Sequence, residues 1–174
     1  MRSPRRRAVI MAAGAAATTT VAGCSGAAVA PFNSLAQART AVQGLATRAA
    51  RTSAGWPLPQ VLAHLAQSIE FSITGFPELK SGLFRATVGR AAFAVFDARG
   101  AMTHPLDQPI PGAPDLAGQT DLAAAAQRLV AAIDAFEAHT GALQPHFAYG
   151  ALDRVAYARA HLMHIADHWR ELAA

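Results

Sequence analysis

Apolar residues recur along most of the chain at the three- and four-residue spacing of amphipathic helices. No stretch alternates apolar and polar residues convincingly, as a half-buried strand does. The helical spacing covers residues 35–51, 56–74, 83–99, 122–139 and 151–172. The pattern therefore predicts an all-α domain, namely a four-helix bundle with one extra helix and a long proline-rich loop.

Residues at the segment ends support these bounds. Ser34 offers an N-cap for the first helix, and Asp121 offers one for the fourth. Pro57 stands in the first turn of the second helix, where a missing N–H costs little, and Gly75 follows its end. Within the third helix, Gly89 allows close packing. The third helix is expected to turn five apolar side chains inward: Phe84, Val88, Ala92, Val95 and Phe96.

The longest break between predicted helices covers residues 100–119, which include four prolines and three glycines. Loops of this length are uncommon in compact domains and often act as lids or binding loops. His104 and Asp107 lie in it and could reach the mouth of a pocket, although polar loop residues usually just contact water.

The N-terminus has the features of an export signal. Residues 1–23 combine a basic start, a short and weakly apolar run, and small residues at the end. Arg5–Arg7 resembles a twin-arginine signal, without the usual Phe after it. Val21–Cys24 resembles a bacterial lipobox, which predicts cleavage before Cys24 and lipid attachment to it. We expect residues 24–31 to be a tether, residues 32–174 to form the helical domain, and the mature protein to be a lipid-anchored envelope protein facing the periplasm or the exterior.

Removal of this signal changes the charge balance. The whole chain has 15 Lys and Arg against 11 Asp and Glu, and four of the arginines lie within residues 1–23. The remainder is therefore formally neutral, which gives no electrostatic case for nucleic-acid binding. Cys24 is the single cysteine, so the chain has no internal disulfide, and lipidation would leave no thiol for catalysis.

The last predicted helix carries three histidines on one face. His161, His164 and His168 fall within roughly 60° of one another around the helix axis. Because His164 and His168 are spaced i, i+4, their imidazoles can bind one metal ion together. His161 with His164 is the alternative pair. His64 on the second helix is the best third donor, and three histidines would leave a position open for water or substrate.

Two other interpretations stay open at this point. The histidines could be core or boundary residues that bond to polar neighbours and bind no metal. Asp167 and Glu171 could support a ligating imidazole or act as a general base, or they could be a solvated acidic pair near the C-terminus.

Three stretches together resemble the DinB-like, or YfiT-like, superfamily, and most closely its branch called domain of unknown function 1569. They are WPLPQVLAHL at 56–65, PHFAYGAL at 145–152 and HLMHIADHWR at 161–170. The resemblance covers roughly residues 32–172. It implies a four-helix bundle in which one histidine of the second helix and an i, i+4 pair of the last bind a divalent ion such as zinc or nickel. The pattern maps onto His64, His164 and His168. Relatives commonly have two adjacent histidines where this chain has Asp167 and His168, so the chain departs from the pattern there.

The resemblance implies a metal-dependent hydrolase or a thiol S-transferase, with a small-molecule substrate that no residue identifies. Export reduces the case for thiol transfer, because an exported protein meets few cytosolic thiols. The rival hypothesis is a non-catalytic envelope binding or structural module without metal. The sequence leaves open the metal, the substrate and the oligomeric state, a homodimer included.

Overall fold

The computed structural model of the chain describes residues 26–45, 51–52 and 55–173. Most of them lie in helices, and the all-α prediction is confirmed. The expected signal peptide and Cys24 lie outside the described residues. The helices are α1 (Leu35–Leu45), α2 (Leu58–Thr74), α3 (Gly82–Phe84, Arg85–Gly89 and Arg90–Arg99), α4 (Leu122–Ala138) and α5 (Arg154–Trp169). Helix α3 consists of three consecutive segments, of which the middle one is a π-helical turn.

Capping side chains set the starts of these helices. The Ser34 hydroxyl accepts the backbone N–H of Gln37 at 3.2 Å. The carboxylates of Asp121 and Asp153 accept backbone N–H groups in the first turns of α4 and α5. Gly75 ends α2 with a φ of 105°, a conformation that favours glycine. The predicted starts of α1 and α4 and the predicted end of α2 are thus confirmed. The last helix begins at Arg154 rather than at residue 151, and Arg51, which was expected at the end of the first helix, lies in a strand.

The end of the last helix differs from the prediction. Helix α5 stops at Trp169, and the chain continues into strand β2 (Leu172–Ala173). This strand pairs antiparallel with β1 (Arg51–Thr52), with Thr52 opposite Leu172. A two-residue ladder thus closes the C-terminal end of the domain against the segment that precedes α2.

Helices α1, α2, α4 and α5 pack around one apolar core. Helix α2 lies at its centre, and every residue from 61 to 69 is buried. Polar residues buried there need partners inside the protein. The Gln67 side chain finds one by donating to the Pro114 carbonyl oxygen at 3.0 Å, which ties the proline-rich loop to α2.

Helix α3 lies on the outside of the bundle, and part of its predicted inward face is wrong. Val88 and Val95 are 58% and 44% exposed, whereas Phe84, Ala92 and Phe96 are half-buried. Val88 lies within the π-helical turn at Arg85–Gly89, and Val95 lies beside the half-buried face formed by Ala92, Phe93 and Phe96. Gly89 is buried in place of Val88.

Residues 26–31 lie on the helical domain. Val29 is buried, and the Arg159 guanidinium donates to the Ala27 carbonyl oxygen at 3.0 Å. The packed part of the chain therefore begins before Phe32, within the segment expected to be a tether. Within the described residues, no helix has both the length and the apolar character needed to span a membrane.

The predicted long loop is present between α3 and α4, without helix or strand from 101 to 121. Three apolar side chains anchor it, since Met102, Ile110 and Leu116 are buried. The residues between the first two anchors, 103–109, are half-buried or exposed. This segment passes beside α5, where the side chain of His104 contacts Asp167.

Candidate metal centre

Four histidines converge where α2, α5 and the long loop meet. His64 comes from the middle of α2, His164 and His168 come from successive turns of α5, and His104 comes from the loop. One ring nitrogen of each lies within 4.8 Å of the chosen nitrogens of the other three. The structure thus brings together the three histidines singled out in the sequence and adds a fourth.

The cluster is compact enough for one metal ion. The four ring nitrogens are no more than 4.8 Å apart. Even if they formed a regular tetrahedron with edges of this length, each nitrogen would lie only about 2.9 Å from the centre. Zinc–imidazole bonds are about 2.0–2.1 Å long, so movements of less than about 1 Å per ring would complete a tetrahedral site. Small rotations of side chains provide movements of this size.

The free hydrogen-bonding capacity of these rings also fits a metal. Buried polar atoms in proteins nearly always have a partner. Here the buried ring nitrogens His64 Nδ1, His104 Nε2 and His164 Nε2 have none within the described structure, and neither nitrogen of His168 has one. Each histidine therefore presents at least one unpartnered nitrogen, which is the donor set of an imidazole metal site.

Burial keeps the rings of His64, His164 and His168 neutral. Desolvation, followed by the charge of His104, lowers the pKa of His64 to about 4. Desolvation and the neighbouring histidines lower the pKa of His168 to about 3, and they place the pKa of His164 well below its ordinary value. A neutral imidazole with a free lone pair is the form that binds a metal.

Asp167 contacts the fourth histidine directly. Its Oδ2 lies 2.9 Å from His104 Nδ1, and its Oδ1 accepts from Arg170 Nη1 at 3.0 Å. The Asp167 side chain is only 7% exposed. Asp167, for which the sequence left open a supporting role and a solvated one, thus contacts an imidazole of the cluster, the one from the loop. For Glu171, burial and the charge of Asp167 raise the pKa of the carboxyl.

His161 lies in a different set of contacts. Its Nε2 is 3.2 Å from Ser72 Oγ, and its ring stacks on Tyr157. The Ser72 hydroxyl donates its single hydrogen to the Ile69 carbonyl oxygen at 2.6 Å, so it can only accept from His161. His161 Nε2 therefore carries a proton, and the alternative pairing of His161 with His164 has no support from the geometry.

Two further histidines lie outside the cluster. His146 is buried and stacks on Tyr149 with ring centroids 4.2 Å apart. Its Nδ1 accepts the backbone N–H groups of Ala148 and Tyr149, so its proton is on Nε2. His139 is the C-cap residue of α4.

A cavity of about 210 Å³ adjoins the cluster. His64, His104 and His164 form one side of it, and the loop residues Pro105 and Gln108–Pro111 form another. The remaining wall includes Lys80, His146, Phe147 and Tyr149. A small molecule in this cavity would lie beside the histidine cluster.

The sequence pattern places His104 in the loop and does not mark it as a ligand. A lone histidine in a loop usually contacts water, so the residue type carried little information. The signal available was the combination of a long proline-rich loop with a histidine and an acidic residue, Asp167, beside a predicted ligand.

The chain matches the model of a protein family described as "Protein of unknown function (DUF1569)" over residues 29–174, which is most of its length. The comparisons with curated proteins and with solved structures gave no match.

Proposed function

We propose that this chain, which belongs to the DUF1569 family, holds a divalent metal ion beside a small-molecule cavity and acts as a metal-dependent hydrolase. The proposed ligands are His64, His164 and His168, with His104 as the fourth. The observation that carries the proposal is the convergence of four histidines, each of which has at least one buried ring nitrogen without a partner among the described residues. A DinB-like arrangement of the bundle belongs to the same proposal and is supported by the order of the helices and ligands.

The donor set narrows the choice of metal. Imidazole nitrogen suits zinc, nickel, copper and iron, whereas magnesium and calcium prefer oxygen ligands. The four clustered residues supply nitrogen only, which argues against magnesium and calcium. Among the remaining metals we propose zinc or nickel, as the resemblance to the DinB-like superfamily implies. The carboxylate of Asp167 is occupied by His104 and Arg170.

The cavity wall indicates the class of substrate. His146 and Tyr149 offer neutral donors, because burial lowers the pKa of His146 to about 3 and raises that of Tyr149 to about 12. Lys80 adds a positive charge, while Ile110 and Phe147 are apolar. These groups fit a small organic molecule with an apolar body and acceptor oxygens.

A divalent ion at the cluster would supply Lewis-acid polarisation of a carbonyl or phosphoryl group in this cavity. The protein's own residues would hold and orient the molecule, and the loop would limit access of bulk water. We place hydrolysis before thiol transfer because the N-terminal sequence predicts export.

Metal content tests this proposal. The full chain carrying Cys24→Ser, which prevents lipidation, would be purified and analysed by mass spectrometry. We expect close to one equivalent of zinc or nickel, lost in His164→Ala and His168→Ala and retained in the control His139→Ala. A folded wild type that is free of metal and gains no thermal stability from added ions would favour the non-catalytic helical module.

Export and lipid attachment at Cys24 are a separate proposal. They are supported by the basic start, the apolar run and the Val21–Cys24 sequence. In a bacterial host, we expect the wild type in the membrane fraction and Cys24→Ser released from it. Equal distribution of the two proteins would contradict lipid anchoring.

A further inference from the structure

One contact links the long loop to the histidine cluster. Between the buried anchors Met102 and Ile110, the structure describes a single hydrogen bond from the loop to a helix, and it joins His104 to Asp167 of α5. The side chain of His104 is 30% exposed, while that of Asp167 is 7% exposed. The loop segment 103–109 is therefore held to the bundle through this histidine.

The chemistry of the pair fixes which nitrogen of His104 faces the cluster. An ionised carboxylate only accepts hydrogen bonds, so His104 Nδ1 carries the proton in this contact. The lone pair is then on Nε2, and this atom is buried without a partner. Carboxylates commonly hold ligating histidines in this way and raise the basicity of the ring.

Asp167 is adjacent in sequence to a histidine of the cluster, and a second contact holds its carboxylate. It precedes His168 in α5, and Arg170 from the next turn donates to its second oxygen at 3.0 Å. Both oxygens of Asp167 are thus engaged, which fixes the plane of the carboxylate. The ring of His104 packs edge-to-face against two rings of the cluster. Its centroid lies 4.8 Å from that of His164 and 5.1 Å from that of His168.

We propose that His104 is a loop-borne metal ligand positioned by Asp167, so that metal binding fastens the loop over the cavity. This inference rests on the proposed metal site. His104, Pro105 and Gln108 all line the cavity, so the segment that carries the ligand is also part of the cavity wall. Loading of the metal thereby orders the wall against which a small molecule binds.

The test measures zinc affinity by competition with a chromophoric chelator, using the full Cys24→Ser chain. We expect His104→Ala to bind zinc about 10–100-fold more weakly and Asp167→Asn to bind it about 10-fold more weakly. If Asp167 acts through His104, Asp167→Asn has no further effect in the His104→Ala background. Asp115→Asn is the matched control, because Asp115 lies in the same loop and, among the described residues, accepts only the local N–H of Ala117.

Hydrogen–deuterium exchange of the loop gives a second readout. Zinc should slow exchange of residues 103–109 in the wild type and in Asp115→Asn, but not in His104→Ala. Circular dichroism checks that each variant is folded. We expect His104→Ala to fold, because His104 lies on a loop.

Three results would overturn the inference. His104→Ala could bind zinc as tightly as the wild type, or zinc could leave the exchange of 103–109 unchanged in the wild type. Asp167→Asn could also weaken binding equally in both backgrounds, which would make its effect purely electrostatic. If His164→Ala abolishes binding while His104→Ala does not, only this inference fails. If the wild type itself binds no zinc, the proposed metal site fails with it.

Discussion

Substitution of Gly89 by alanine tests how α3 is held against the cavity wall. A Cβ atom at this position would lie 1.9 Å from the Ala148 carbonyl oxygen and 2.9 Å from its carbon. Both are backbone atoms, so no side-chain rotation relieves the clash. Contact at an ordinary distance needs a displacement of more than about 1 Å between α3 and residues 148–149.

The size of the effect follows from two opposing terms. Overpacking of this kind costs about 1–3 kcal/mol, and replacement of a helical glycine by alanine returns up to about 1 kcal/mol. We expect Gly89→Ala to lower the free energy of unfolding by about 1–2 kcal/mol. For a domain of this size that corresponds to a fall in Tm of roughly 2–8 °C.

Gly82→Ala is the matched control, because Gly82 lies in the same helix and its added Cβ meets no atom of the described residues within 4 Å. We expect this variant to be as stable as the wild type or more stable. Thermal and urea unfolding, followed by circular dichroism, measure both variants. A Gly89→Ala protein as stable as Gly82→Ala would refute the close approach of α3 to Ala148.

Three further predictions concern polar residues in the bundle. His146 and His161 both have a folded pKa of about 3, caused first by burial, against an unfolded value near 6.5, so the unfolded chain binds more protons between these values. Their contribution to stability is therefore complete above about pH 6.5 and is lost as the pH falls toward 3. A urea midpoint of the metal-free protein that is no lower at pH 4.5 than at pH 7 would contradict this. Ser72→Ala leaves the buried His161 N–H without its acceptor and should cost about 1–3 kcal/mol by urea unfolding, whereas an unchanged midpoint would remove the bond from the account. Glu70→Gln breaks a bidentate pair with Arg128 that is about one-third exposed, so we expect a loss below about 1 kcal/mol, and a larger loss would show that the pair is more strongly shielded than its exposure indicates.

The helices were predictable because their signals are local. Apolar spacing marks the face that packs, and residues such as Ser34, Asp121 and Gly75 mark the ends through their own hydrogen bonds or backbone conformation. The inward face of α3 was predictable only in part. The sequence marks Gly89 for close packing, but its close approach to Ala148, 59 positions away, and the π-helical turn that contains Val88 depend on tertiary structure.

The histidine cluster was likewise predictable only where its signals are local. The spacing of His164 and His168 places them together on any helix, and the position of His64 on a buried face made it the best partner. The place of His104 depends on the path of a loop and on a contact with Asp167 across 63 positions, which no local pattern contains.

The central claim is that histidines of α2, α5 and the long loop bind one divalent ion. X-ray absorption at the zinc edge, on the full Cys24→Ser chain loaded with one equivalent of zinc, tests it most directly. The account predicts nitrogen ligands at about 2.0–2.1 Å with the outer-shell scattering of three or four imidazoles, reduced by one imidazole in His104→Ala. A spectrum with oxygen ligands and no imidazole scattering, or zinc that does not stay bound through gel filtration, would contradict it.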